Sequence, residues 1–213
     1  QLMEITWYGL SCFRLTGRGQ ASIVTDPYDN SLGLPPLKLR GDVVTVSHDS
    51  PGHNNEAAVS GRKYALTGPG EYEIGGVFIT GIATNENDHS LANLLFVFDF
   101  DGVTIAHLGD MAKVPTQTKI EALEQVDVLL LPVGGGNSLN AAQAAELVSM
   151  LEPRLVVPMH YSIPGLKAEL DEVDRFLKEM GITPPEEEAT IKVTASSVSE
   201  ETSVVLLAPK IKS

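Results

Sequence analysis

A chain of 213 residues, 43% hydrophobic and 20% charged, has the composition of an ordinary globular protein and enough apolar material for a sizeable core. Its formal net charge of −13, with 15 Lys and Arg in all, argues against a nucleic-acid partner, because duplex affinity rests on many cationic contacts to phosphate. The single cysteine, Cys12, excludes an internal disulfide, no apolar run approaches the roughly 20 residues that span a bilayer, and no signal-peptide pattern precedes Met3, so a reducing cytoplasm without a membrane partner is the expected setting.

Apolar alternation predicts strands over residues 3–6 and 12–15, a turn at Gly17-Arg18-Gly19-Gln20 and a third strand over 21–25. Asp26-Pro27-Tyr28 ends that strand, since the residue before a proline is expected to stay extended and proline cannot continue the ladder. After a Gly- and Pro-containing loop over 31–40, residues 42–47 form an apolar, β-branched strand. It empties into the polar turn His48-Asp49-Ser50-Pro51-Gly52-His53. A short polar helix is expected around 55–59, a strand over 64–67 and a turn at 68–71. Hairpins are expected across Gly75-Gly76 and Asp101-Gly102, with a polar loop holding His89 between them. The second half alternates differently: a helix over 116–125, a buried strand over 127–131, and a glycine run that gives way at Ser138 or Asn140 to an alanine-rich helix. A strand over 155–157, a helix over 165–180 and closing strands at 191–193 and 203–207 complete it. With no repeat and no internal boundary, residues 1–213 read as one α/β (α+β) domain of two mixed β-sheets covered by helices.

Several of these strands end in a polar tip. His48 and His53 follow the strand over 42–47, Asp110 follows Ile105-Ala106-His107-Leu108-Gly109, His160 follows Val156-Val157-Pro158-Met159, and Asp26 follows Ile23-Val24-Thr25. Any one of them alone is an ordinary loop cap. Together, with four of the five histidines at such tips, they read as one shared site at the common rim of a sheet. Cys12, in an apolar stretch, reads as a small core residue.

The motifs Trp7-Tyr8-Gly9, Ser11-Cys12-Phe13, Thr25-Asp26-Pro27-Tyr28, Ser47-His48, Gly68-Pro69-Gly70-Glu71-Tyr72, Leu108-Gly109-Asp110, Val126 to Gly135 and Pro158-Met159-His160-Tyr161 stand in order along the chain. In that combination the sequence resembles the bacterial Zn-dependent hydrolase branch of the metallo-β-lactamase superfamily, near the ascorbate-phosphate lactonases. The resemblance implies a four-layer αβ/βα sandwich with a metal-activated water at the common rim of two sheets. The family's first metal motif, His-x-His-x-Asp-His, is degenerate here. His48 and His53 match its ends, Ser50 stands for the middle His and Gly52 for the Asp; Leu10 also replaces a His common among relatives.

Carried over position by position, one family metal site keeps His48 and Asp110. It loses its second His to Ser50, and its third would lie near Asn85-Glu86, with His89 close by. The other keeps His53, His160 and Asp110 and lacks only the carboxylate at Gly52. A divalent ion needs three or four donors, so the resemblance implies one ion, zinc or another divalent metal, with His48, His53, Asp110 and His160 as ligands and Asp110 and His160 as catalytic residues. Gly52 also removes the carboxylate that would orient the attacking water, leaving Glu71, Glu86 or Asp49 as stand-ins. His107 reads as a hydrogen-bonding neighbour of the ligands. The expected activity is hydrolysis of a small-molecule ester, lactone or phosphoester, with association of identical copies left open. The alternative is a catalytically silent homologue that binds a metabolite or partner without metal, and a nuclease is disfavoured by charge and by the lost dinuclear site.

Overall fold

The structure, a computed structural model, describes residues 1–84, 92–121, 123 and 125–211, and the backbone alone of Gln117. The first strands are β1 (Met3–Trp7), β2 (Phe13–Gly17), β3 (Ile23–Thr25), β4 (Leu39–Arg40), β5 (Val43–Thr45), β6 (Val59–Ser60) and β7 (Tyr64–Leu66). They are followed by β8 (Gly70–Ile74), β9 (Val77–Ala83), β10 (Leu94–Phe100), β11 (Val103–His107), β12 (Val128–Pro132) and β13 (Leu155–Met159). The last are β14 (Glu187–Glu188), β15 (Ile191–Val193), β16 (Ser203–Val204) and β17 (Leu206–Leu207). Three α-helices are described: α1 (Gln117–Glu121), α2 (Ala141–Leu151) and α3 (Val173–Glu179).

Two sheets carry the architecture, in the orders β15-β1-β2-β3-β5-β7 and β16-β13-β12-β11-β10-β9-β8. Both are mixed, as expected: β1, β2 and β3 pair antiparallel while β3, β5 and β7 are parallel. In the second sheet β8 to β11 are antiparallel and β11, β12, β13 and β16 parallel. Amphipathic β1 buries alternate residues, whereas β3, β5, β12 and β13 are buried at every position. That is why the latter read as unbroken apolar runs. The inward faces merge into one apolar core, in which Trp7 packs against Tyr161 with ring centroids 5.1 Å apart. Buried Cys12 belongs to that core.

The hairpin turns follow their sequence signals. Asp101 and Gly102 between β10 and β11 both have positive φ, 51° and 85°, as a two-residue primed turn requires. Helix α2 starts at Asn140 with a reciprocal cap: Gln143 N donates to Asn140 Oδ1 and Asn140 N to Gln143 Oε1. The helical layer is thinner than expected. The 165–180 segment is helical only from Val173, because Asp171 N bonds to Gly134 O and Ser162 N to Asp171 O, and these loop-to-loop bonds replace helical ones. In the first sheet the parallel connections β3→β5 and β5→β7 contain the 3₁₀ turns Asn30–Leu32 and Glu56–Ala58 and the paired short strands β4 and β6, where a helix usually makes such a crossover. No helix among the described residues is long and apolar enough to cross a membrane.

Candidate metal centre

The parallel pairs β3/β5 and β11/β12/β13 end on one side of the molecule, and their C-terminal tips bring Asp26, His48, His53, Asp110 and His160 together. One ligand atom each from His48, His53 and Asp110 lie within 4.8 Å of one another. His160 adjoins this group: its ring centroid is 5.5 Å from that of His53, and its Nδ1 is 3.9 Å from Asp110 Oδ1. The cluster thus centres on His48, His53 and Asp110, with His160 at its edge, rather than on the His53–Asp110–His160 set that positional carry-over favours.

Asp26 organises the cluster. It is 1% exposed; its Oδ1 accepts from Ser47 N at 2.7 Å, and its Oδ2 accepts from Ser47 Oγ at 2.6 Å and His53 Nδ1 at 2.8 Å. These bonds hold Asp26 at φ +41°, not in the extended backbone expected before Pro27. Burial opposes its charge, but His53 and the Ser47 hydroxyl outweigh it and lower its pKa. For His53 burial likewise works against the charged form, and Asp26 overrides it, so the imidazole pKa is raised.

Proton positions follow from the same bonds. The Ser47 hydroxyl gives its hydrogen to Asp26, so the 3.0 Å contact between Ser47 Oγ and His48 Nδ1 is donated by His48. The Ser138 hydroxyl donates to Gly135 O, so the 3.2 Å contact with His160 Nδ1 is donated by His160. His48, His53 and His160 therefore all carry a proton on Nδ1, and in the neutral ring Nε2 is a lone pair. Burial lowers the pKa of His48, with the charge of His53 adding to it, and pushes that of His160 down to about 4.

Asp110 is aimed by its neighbours. Asn93 takes the Asp110 N–H on Oδ1 at 2.8 Å and donates through Nδ2 to Leu108 O and Thr84 Oγ1. The preceding Gly109 has φ +61°, and a Cβ there would lie 2.4 Å from Asn93 Oδ1 and 2.6 Å from Ser47 Cβ. Only glycine lets this turn close. Gly134 plays the same part beneath His160, where a Cβ would come 2.2 Å from His160 O.

These contacts fit a cation. Among the described residues, Asp110 Oδ1 is buried with no hydrogen-bond partner, and such a group is costly unless something positive reaches it. Asp110 Oδ2 and His48 Nε2 face each other at 3.4 Å, two acceptors with no proton between them.

His107 stands outside the donor set. It is fully buried, its Nε2 donates to Ser11 O at 2.8 Å and its Nδ1 accepts from Gly109 N at 3.2 Å, so both nitrogens are occupied. Of the proposed carboxylate stand-ins, Asp49 is exposed and bonded to Asn54 Nδ2, and Glu71 is exposed on β8. Glu86 and His89 lie outside the described residues. Sequence placed Asp26 at the shared rim without a ligand role and did not single out Asn93. The first had a signal, as the polar tip of a buried strand; Asn93 had none, since its bonds reach residues 9 and 15 positions away.

A family model described as a beta-lactamase superfamily domain matches residues 4–160. The chain is 30% identical over 203 residues to a UPF0173 protein of Pyrococcus furiosus, covering 84% of this chain and 90% of that one. It is also 30% identical to a UPF0173 metal-dependent hydrolase of Rubrobacter xylanophilus, again covering 84% and 90%. A crystal structure from Thermotoga maritima, described as a candidate Zn-dependent hydrolase of the metallo-β-lactamase superfamily, superposes with a TM-score of 0.80 at 35% identity. It covers 96% of this chain and 98% of its own.

Proposed function

The chain belongs to the metallo-β-lactamase superfamily, and on that premise we propose that it is a metal-dependent hydrolase of small esters, lactones or phosphoesters. One divalent ion would be held by His48, His53 and Asp110, with His160 completing the set. The observation that carries this reading is the buried Asp110 Oδ1 without a partner, beside imidazoles that present Nε2 lone pairs. Two or three imidazoles and one carboxylate suit zinc, manganese or iron. Such an ion would lower the pKa of a water and polarise the scissile carbonyl or phosphoryl group.

The chain's own residues do the rest. Asp26 fixes the ring of His53, Ser138 orients His160, and Asn93 with Gly109 sets the direction of Asp110. Gly52 offers no carboxylate, so the proton of an attacking water would pass to whichever Asp110 oxygen the ion leaves free. His160, kept neutral by burial, would keep the Nε2 lone pair that completes the donor set.

A second reading has one observation in its favour. Ser50 Oγ lies 3.1 Å from His48 Nε2 and can donate to it, occupying that lone pair as a silent, metal-free pocket would. Thermal melts with and without added zinc or manganese separate the two, run on wild type and Asp110→Asn together with a small ester, lactone and phosphodiester panel. The hydrolase reading expects a rise in Tm in wild type only, with turnover of at least one substrate class. An unchanged wild-type Tm with no turnover sinks it.

A further inference from the structure

Away from the histidine cluster, a cavity of about 530 Å³ opens where the loop after β3 replaces a crossover helix. It is within the size range of small-molecule sites. Among the described residues all four charged groups that line it are cations, Arg14, Lys38, Arg40 and Lys210, and none is a carboxylate. In a chain with 28 acidic and 15 basic residues, such segregation runs against composition. None of the four makes an ion pair among the described residues. Asp42, which feels the charge of Arg40, has its oxygens engaged by Ser22 and Lys63.

The cations are also partly preorganised. Arg14 Nε donates to Arg40 O at 2.8 Å, which fixes the guanidinium plane and leaves its terminal amino groups without a hydrogen-bond partner among the described residues. A guanidinium held this way matches a planar or tetrahedral anion through two parallel bonds. The Tyr8 hydroxyl, also on the lining, has no hydrogen-bond partner among the described residues. The remaining wall is apolar, with Pro35, Pro36, Leu37 and the buried Tyr28 ring, which is tied down by its hydroxyl bonding to Tyr8 O.

We propose that this cavity binds a small organic phosphate carrying two or more negative charges, its phosphates on Arg14, Lys38, Arg40 and Lys210 and its body against the tyrosine–proline wall. The cavity is too small for a polymer, and the −13 chain would repel one. The lining shares no residue with the His–Asp cluster, so the proposal stands independently of the hydrolase reading.

Calorimetric titration with ADP and with fructose 1,6-bisphosphate tests it, with adenosine as the uncharged control. The variants are Lys38→Glu combined with Lys210→Glu, both exposed, and His53→Ala, which removes a residue of the metal cluster and none that lines the cavity. At least one phosphate should bind wild type, weaken about tenfold or more in the double variant and bind His53→Ala unchanged, with affinity falling as salt rises. An unchanged melting temperature would show that the double variant is folded. Absence of binding by both phosphates, adenosine binding as tightly as ADP, or loss of binding in His53→Ala but not in the double variant would each overturn it.

Discussion

Replacing Asp26 by asparagine keeps the shape of the side chain and removes the charge that three donors converge on. With both Asp26 and His53 nearly inaccessible, the change should lower stability by on the order of 2–3 kcal/mol, read as a shift in denaturation midpoint. It should also weaken metal binding about tenfold or more, because His53 loses the partner that fixes its tautomer. A variant that binds zinc like wild type would remove Asp26 from the account. The raised pKa of His53 gives a pH signature with opposite signs in the two states. Without metal, the His53 contribution to stability is full below the ordinary imidazole pKa of about 6.5 and is lost as pH rises through the raised value. With metal, a proton on Nε2 must leave, so the Tm gain from zinc should shrink as pH falls from above about 6.5. A zinc-induced gain that stays flat between about pH 8 and pH 6 would contradict this, and the same series on Asp26→Asn should start its decline at lower pH.

At the scale of elements, the tight turn after β11 shows how a strand end is converted into a ligand. Gly109→Ala puts a side chain at φ +61° against Asn93, Ser47 and a backbone carbonyl. The expected cost is roughly 2–4 kcal/mol from strain and displacement of Asn93, with loss of the zinc-induced rise in Tm because Asp110 moves. The turn after β5 should behave in the opposite way. A Cβ on Gly52 would meet Leu32 Cδ1 at an ordinary 3.4 Å, and its φ lies outside the left-handed range. Gly52→Asp with Ser50→His should therefore fold and raise metal content measured by elemental analysis. If content stays at the wild-type level in a folded double variant, the missing family ligands are not what limits the site.

For the whole molecule, the convergence of strands from two sheets makes metal content a property of the fold. Wild type should hold one tightly bound divalent ion per chain, since the described donors meet around a single point, and two equivalents that resist dialysis would refute this. The same convergence makes His160→Ala informative: His160 belongs to the second sheet and His48 to the first. If both sheets contribute ligands, the variant should lose part of the zinc-induced stabilisation while its metal-free Tm changes little.

The amino-acid sequence by itself determined the longer core strands, the hairpins at Gly75-Gly76 and Asp101-Gly102, the mixed sheets and the identity of the polar strand tips. Those follow from periodicity and turn chemistry, which are local. It also carried the family, through motifs spread from Trp7 to Tyr161. Only the tertiary structure decided which tips meet, because that depends on register between strands far apart in the chain. It brought His48, His53 and Asp110 within reach of one point, gave Asp26 its partners in Ser47 and His53, and tied both ring nitrogens of His107 to the backbone, in keeping with its reading as a hydrogen-bonding neighbour. It shortened the helix at Val173 because backbone bonds to Gly134 and Ser162 outcompeted helical ones. The gathering of Arg14, Lys38, Arg40 and Lys210 around one cavity was equally hidden, since Arg14, the Lys38/Arg40 pair and Lys210 come from three distant stretches of the chain and leave no pattern in a sequence read by spacing.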